Sequence, residues 1–122
     1  MPQAGIPVPR DKEEFLMFHS RADAQLSQNA RNVYLRFVIK ELSDTYLVNN
    51  GLLARKIDLR PTRLNDFKHG RRSFSEETLD QVENYIDEVY GPLIEVFVPQ
   101  DSITEFRNFV QYLVKQEEQQ QS

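Results

Sequence analysis

Apolar residues recur along this chain at helical spacing, and their grouping changes sharply between Asn49 and Arg72. There Leu53, Ala54 and Ile57 mark one short buried stripe, and Leu59, Leu64 and Phe67 mark a corner followed by a second. This spacing predicts two short helices packed across a tight turn rather than one long helix. Ala54 is small enough for the second helix to cross close to the first, and Asp58 stands at the corner, where Gly, Asn or Asp tolerate left-handed backbone. Pro61 lies where the second helix begins; it surrenders an amide hydrogen that has no intrahelical partner there, and its fixed φ pre-sets the first turn. Arg60, Thr62 and Arg63 then face outward at a helix start, guanidinium and hydroxyl groups suited to base edges and phosphates.

The flanking pattern is also helical. Residues 1–10 carry Pro2, Gly5, Pro7 and Pro9 and read as an irregular arm. From Asp11 to about Gln28, Phe15, Leu16, Phe18, Ala22 and Leu26 predict a short helix. Asn29 is the expected cap of the next, whose stripe of Ala30, Val33, Tyr34, Phe37, Val38 and Leu42 is widened by Leu35 and Ile39. A helix apolar around so much of its circumference belongs in the middle of a bundle. Gly70 is the expected stop after the crossed pair, and Ser75 with Glu76 and Glu77 specifies a new helix start. Leu79, Val82, Ile86 and Val89 form that helix's core stripe, and Gly91-Pro92 is expected to end it. Residues 93–98 suit either a short strand or a further helical turn.

Ser102-Ile103-Thr104-Glu105 reads as a capping box opening a last helix, about 102–115. Ile103, Phe106, Val110 and Leu113 share one face of it, which serves either to close the chain's own core or to form a dimer interface. Residues 116–122 are polar and glutamine-rich, and are expected to be a disordered tail. The prediction is a single all-α domain over residues 11–115.

The segment LARKIDLRPTRLNDFKHGRR, followed by SEETLDQVENYI, resembles the Xre-type helix-turn-helix of phage repressors and Cro-like proteins. The resemblance covers roughly Asn29 to Tyr90. Leu53 and Ala54 match the Leu-Ala pair of the family's second helix, Leu59 the apolar residue after the turn, and Leu64 and Phe67 the buried pair of the recognition helix; His69-Gly70 matches the polar residue and glycine that close it. Asp58 stands where the family most often has Gly, Arg60 where it often has a Ser cap, and Asn50 where a Gln often begins the second helix. The resemblance implies a lambda-repressor-like bundle with an extra N-terminal and a C-terminal helix. It also implies a dimeric transcription regulator, such as a repressor, with its recognition helix at about 61–69.

Charge and composition test that implication. The 122 residues, 39% of them hydrophobic, suffice for one core and not two. The formal charge of −4 is unlike the basic footprint of most nucleic-acid binders. Its distribution is uneven: residues 55–72 hold seven cations against Asp58 and Asp66, and the carboxylates gather in the later helices. A local cationic face can attract phosphate when the total charge does not; the alternative is that these charges solvate the exposed sides of helices. No apolar run reaches the roughly 20 residues of a membrane span, and MPQAGIPVPR lacks the regions of a secretory signal, so a cytoplasmic location is expected. Without cysteine, and with His19 and His69 as the two histidines, no metal or other cofactor is expected. No P-loop, nucleophile elbow or His-Glu-x-x-His pair occurs, and an enzyme is not expected.

The expected function is sequence-specific binding of double-stranded DNA. Arg63 and Arg60 are the candidates for guanine contact, and Thr62 for a base edge or phosphate. Asn65 and Lys68 are candidates for bases or backbone, Asn50 for phosphate, and Arg71 and Arg72 for the flanking backbone. The alternative is a protein-binding adaptor, or an inhibitor of a nucleic-acid enzyme, suggested by the overall acidity and by Asp66 on the outward side of the recognition helix. A purely structural subunit is a third reading.

Overall fold

The computed structural model describes residues 24–99 and 102–121, and among them finds helices and no strand. In chain order these are α1 (Gln28–Asp44), α2 (Asn50–Ile57), α3 (Pro61–Lys68), α4 (Glu76–Phe97) and α5 (Ile103–Gln121). The arm at 1–10 and most of the helix expected from Asp11 lie outside the described residues. At that helix's expected end the backbone turns, with Gln25 at φ 54. The cap of α1 is Ser27, whose hydroxyl accepts from the Ala30 amide, rather than Asn29.

α1 is the central element and packs on α3, α4 and α5. Its Tyr34, Leu35, Val38, Ile39 and Leu42 are buried on several sides, as their spread around the helix requires. Polar ties fix the neighbours in place. Arg31 Nη2 donates to Asp80 at 2.7 Å and to Glu83 at 3.0 Å on α4. The buried Asn32 amide brackets the Phe74 backbone, accepting from its N–H at 2.6 Å and donating to its carbonyl at 3.1 Å. The segment between α3 and α4 is thereby held against α1 without a strand.

Asn49 caps α2 by accepting from the Leu52 amide, and Asp58 ends it in the left-handed region at φ 68, ψ 42. The Leu59 amide then bonds back to the Ala54 carbonyl at 2.8 Å, which closes the corner. α3 starts on Pro61 with no side-chain cap and stops before Gly70, whose φ of 79 suits glycine.

Two expectations about chain ends are corrected. Gly91-Pro92 does not end α4, which runs on to Phe97, and residues 93–97 form no strand. An interior proline costs a helix about 3 kcal/mol. Here that is offset by burial of Ile94 and Val98, each such side chain contributing about 1.5–3 kcal/mol, and by Phe97, whose ring meets Phe37 at 6.0 Å and Tyr46 at 5.7 Å. The expected disordered tail is likewise helical as far as Gln121, because Glu117 is drawn onto α1 by Arg36.

The dimer-interface reading of Ile103, Phe106, Val110 and Leu113 is also corrected. Phe106, Val110 and Leu113 are buried in the chain's own core, and Ile103 packs against its edge. Phe106 meets Tyr34 edge-on at 5.0 Å and Phe109 meets Phe37 at 5.3 Å. A helix as apolar as α1 needs α5 as its cover, so this face is not left for a second copy.

One cation lies inside this packing. Arg36 is buried; its Nε donates to the Phe67 carbonyl at 2.7 Å, Nη2 to the Arg72 carbonyl at 3.0 Å, and Nη1 to both Glu117 oxygens at 2.9 and 3.0 Å. Arg36→Ala removes the guanidinium from two carbonyls and leaves the Glu117 carboxylate without its cation, and is expected to cost about 3–5 kcal/mol in urea unfolding. Glu117→Gln keeps an acceptor beside the guanidinium and is expected to cost about 1–2 kcal/mol. Unchanged midpoints for both variants would show that the core does not depend on this cation.

Candidate nucleic-acid interface

The start of α3 projects Arg60, Thr62 and Asn65 into solvent, because Leu64 and Phe67 on its other side are fully buried. Arg72, also exposed, comes back toward this end from the segment after α3. Arg60, Thr62 and Arg72, together with Asp58, Leu59, Arg63 and Asp66, line an open groove of about 400 Å³. The groove holds three guanidinium groups, one hydroxyl and two carboxylates, a lining that suits an anionic, hydrogen-bonding ligand.

Arg63 occupies it differently from Arg60. Its guanidinium lies 5.3 Å from the centre of the Phe74 ring, Phe74 stacks on Phe67 at 4.2 Å and 7°, and Arg36 lies 4.9 Å from the Phe67 ring. The order Arg36, Phe67, Phe74, Arg63 is a run of two cations and two rings that crosses from the core to the surface. Arg63 Nε is buried there without a hydrogen-bond partner. The residue named first for guanine contact is thus anchored on an aromatic ring, and Arg60 is the guanidinium with freedom to reach outward.

Three other candidates are turned toward the protein. Lys68 Nζ donates to Ser43 Oγ at 2.9 Å and pairs with Asp44 at 3.0 Å, which folds it onto the end of α1. Asn50 donates to the same Ser43 oxygen at 3.2 Å, so its amide serves the junction of α1 and α2. Arg71 pairs with Asp66 at 3.1 Å, an exposed contact that offsets the one carboxylate on the outward side of α3. The structure therefore brings Arg60, Thr62, Arg63 and Arg72 together, leaves Asn65 exposed one turn along α3, diverts Asn50 and Lys68 into internal contacts, and leaves Arg71 exposed in a surface ion pair with Asp66.

Sequence reasoning did not assign Arg36, which organises the end of α3. A signal for it exists: it is the lone charge within the run Val33 to Ile39. Ser43 and Asp44 carried no signal, since nothing local indicates that Lys68 folds back to them across 24 and 25 residues. No helix among the described residues is long and apolar enough to cross a membrane. Comparisons with protein-family models, with curated proteins and with solved structures find no match.

The Lys68 contact has a pH signature. The hydrogen bond from Lys68, more than any other influence, holds the Asp44 carboxyl below its ordinary value of 3.8. A carboxyl depressed on folding stabilises the fold fully above its unfolded value, and that contribution is lost as pH falls through the folded value. Wild type is therefore expected to lose urea resistance below about pH 4 more steeply than Lys68→Met, in which Asp44 keeps only the weaker influences of Ser43 and Lys40. Parallel acid limbs for the two proteins would show that the pair contributes nothing measurable.

Proposed function

We propose that this chain is a lambda-repressor-like helix-turn-helix protein that binds double-stranded DNA sequence-specifically and regulates transcription, with α3 entering the major groove. The observation that carries the reading is the outward set Arg60, Thr62 and Asn65 at the start of α3, with Arg72 beside it. An eight-residue helix is about 12 Å long, comparable with the width of the groove it would enter. Arg60 can donate bidentately to guanine, and Asn65 has the donor and acceptor pair that matches adenine. Thr62 and Arg72 suit phosphate, and Arg63, anchored on Phe74, suits a fixed contact at the groove edge. Pairing of Asp66 with Arg71 supports the reading, because it removes an unpaired carboxylate from the approaching surface.

A second reading, a protein-binding adaptor, is favoured by one specific observation: Lys68 is neutralised within the chain, which thins the basic face. Recognition of an inverted repeat by two copies, with half-sites about 34 Å apart, would need a surface other than the apolar stripe of α5.

Selection of bound duplexes from a random pool, read with retention on heparin, tests the proposal. An enriched motif is expected, with retention lost by about 0.5 M salt. Arg60→Ala should cost about 1–3 kcal/mol and relax preference at one base pair, whereas Arg72→Ala should weaken all duplexes alike and flatten the salt slope. Lys68→Ala should change affinity little, unlike a phosphate-contacting lysine. A folded protein that flows through heparin and leaves the pool random would sink the DNA reading and favour the adaptor.

A further inference from the structure

Lys68 is the one lysine of α3, and it is withheld from the outward side of that helix. At 3.6 residues per turn its stem leaves about 60° round the helix from Asn65 and about 4.5 Å further along, on the flank opposite Arg63. Extended, the stem would carry its ammonium to the edge of the surface that Thr62 and Asn65 face. Instead the side chain is 12% exposed and folded back onto the end of α1.

Two oxygens hold it there. Nζ donates to Ser43 Oγ at 2.9 Å and lies 3.0 Å from Asp44 Oδ1. The Ser43 hydroxyl in turn hydrogen-bonds the Asp44 carboxyl, so Asp44 acts on Lys68 directly and through a hydroxyl that it orients. The junction is not fully matched, however. Asn50 Nδ2 shares the same Ser43 oxygen at 3.2 Å, and Asn50 Oδ1 is buried without a hydrogen-bond partner, a cost that a tight structural network avoids. The Asp44 side chain is 65% exposed, and ion pairs at such a surface contribute little to folding and open without it.

The contact matters more for charge than for stability. Closed, it neutralises a cation of α3 and leaves a carboxylate at the flank of the face that would meet a polyanion, and both weaken attraction for phosphate. Opened, it returns an ammonium with three donors to that flank. Lys40, exposed on α1, also acts on Asp44 and remains as its counter-charge when Lys68 leaves.

We propose that Asp44, with Ser43, is an autoinhibitory clasp on α3, which occupies Lys68 with the chain's own oxygens and so withholds a phosphate contact from bound DNA. The inference rests on the DNA reading above and adds a means of regulating the same site.

The test titrates wild type, Asp44→Asn, Lys68→Ala and the double variant against a fluorescein-labelled duplex of mixed sequence across a range of salt, read by anisotropy. Asp44→Asn is expected to bind about three- to tenfold more tightly at low salt, with a logarithmic salt slope steeper by about 0.9, the increment of one phosphate contact. Lys68→Ala alone is expected to change little, and the double variant to return to the wild-type value. A gain that survives in the double variant would come from removing a repelling carboxylate, and overturns the clasp; so does Asp44→Asn binding no more tightly than wild type. Amine labelling of Lys68 relative to Lys56, followed by mass spectrometry without DNA, reads the contact itself and is expected to quicken about threefold in Asp44→Asn. Unchanged labelling shows that Asp44 does not hold the lysine and overturns the proposal. If none of the four proteins binds the duplex, the DNA reading falls and the clasp with it, whereas duplex binding by wild type without a gain in Asp44→Asn removes the clasp alone.

Discussion

A guanidinium inside an apolar core carries a desolvation cost of several kcal/mol unless its donors are matched, and the way Arg36 is matched organises this molecule. Its partners come from three places that are distant in sequence: the Phe67 carbonyl at the end of α3, the Arg72 carbonyl after it, and Glu117 on α5. The Phe67 carbonyl is among the last of α3, which have no amide to accept from within the helix and stand at its negative end. A buried cation there complements the helix dipole and gives a second donor to a carbonyl that also accepts from the Gly70 amide. Glu117 supplies the counter-charge, and in doing so converts a glutamine-rich segment into the last turns of α5. Removing any one partner leaves the others desolvated, so core, tail and the end of α3 are specified together.

The same economy limits the cationic face. Residues 55–72 look like a basic patch when counted, yet Lys68 and Arg71 each have a carboxylate of their own, and Arg63 lies on Phe74. What remains for a polyanion is Arg60 and Arg72 with the edge of Arg63 around the start of α3, and Arg55 and Lys56, exposed on α2. Under the DNA proposal, affinity rests on few phosphate contacts and specificity on two or three side chains. A folded acidic protein can still present such a site, because a field at groove distance depends on the nearest charges and is screened beyond about 8–10 Å at ordinary ionic strength.

The elements that could be read from the sequence were those settled within a turn or two of chain. Asp58 in left-handed backbone, Pro61 at a helix start, Gly70 after a helix end and Ser75 as a cap all follow from local sterics and local hydrogen bonds. The failures share a different cause. Pro92 breaks a helix by local rules, but Ile94 and Val98 find a core to fill on the far side of it. The tail has no apolar face to recommend it, but Glu117 meets a cation 81 residues away. For α5, periodicity identified the buried face and could not say what buries it. Among the candidate site residues, Arg60, Thr62, Asn65 and Arg72 are exposed. Lys68 and Asn50 turn inward because the Ser43 hydroxyl accepts from both and Asp44 pairs with Lys68.

α2 lies between α3 and α4. Its Leu53, Ala54 and Ile57 are buried, while Leu52 and Lys56 line an open groove against α4. Its C-terminal carbonyl at Ile57 accepts from Gln81 Nε2, which ties the end of α2 to α4 one residue before the Asp58 corner that aims α3. The end of α2 is thus held from two sides, by Gln81 and by the Asp58 corner, and with it the direction in which α3 leaves. The short α2 is held by Leu53, Ala54 and Ile57 in the common core, so the corner and the start of α3 are fixed by the same packing as the rest of the bundle.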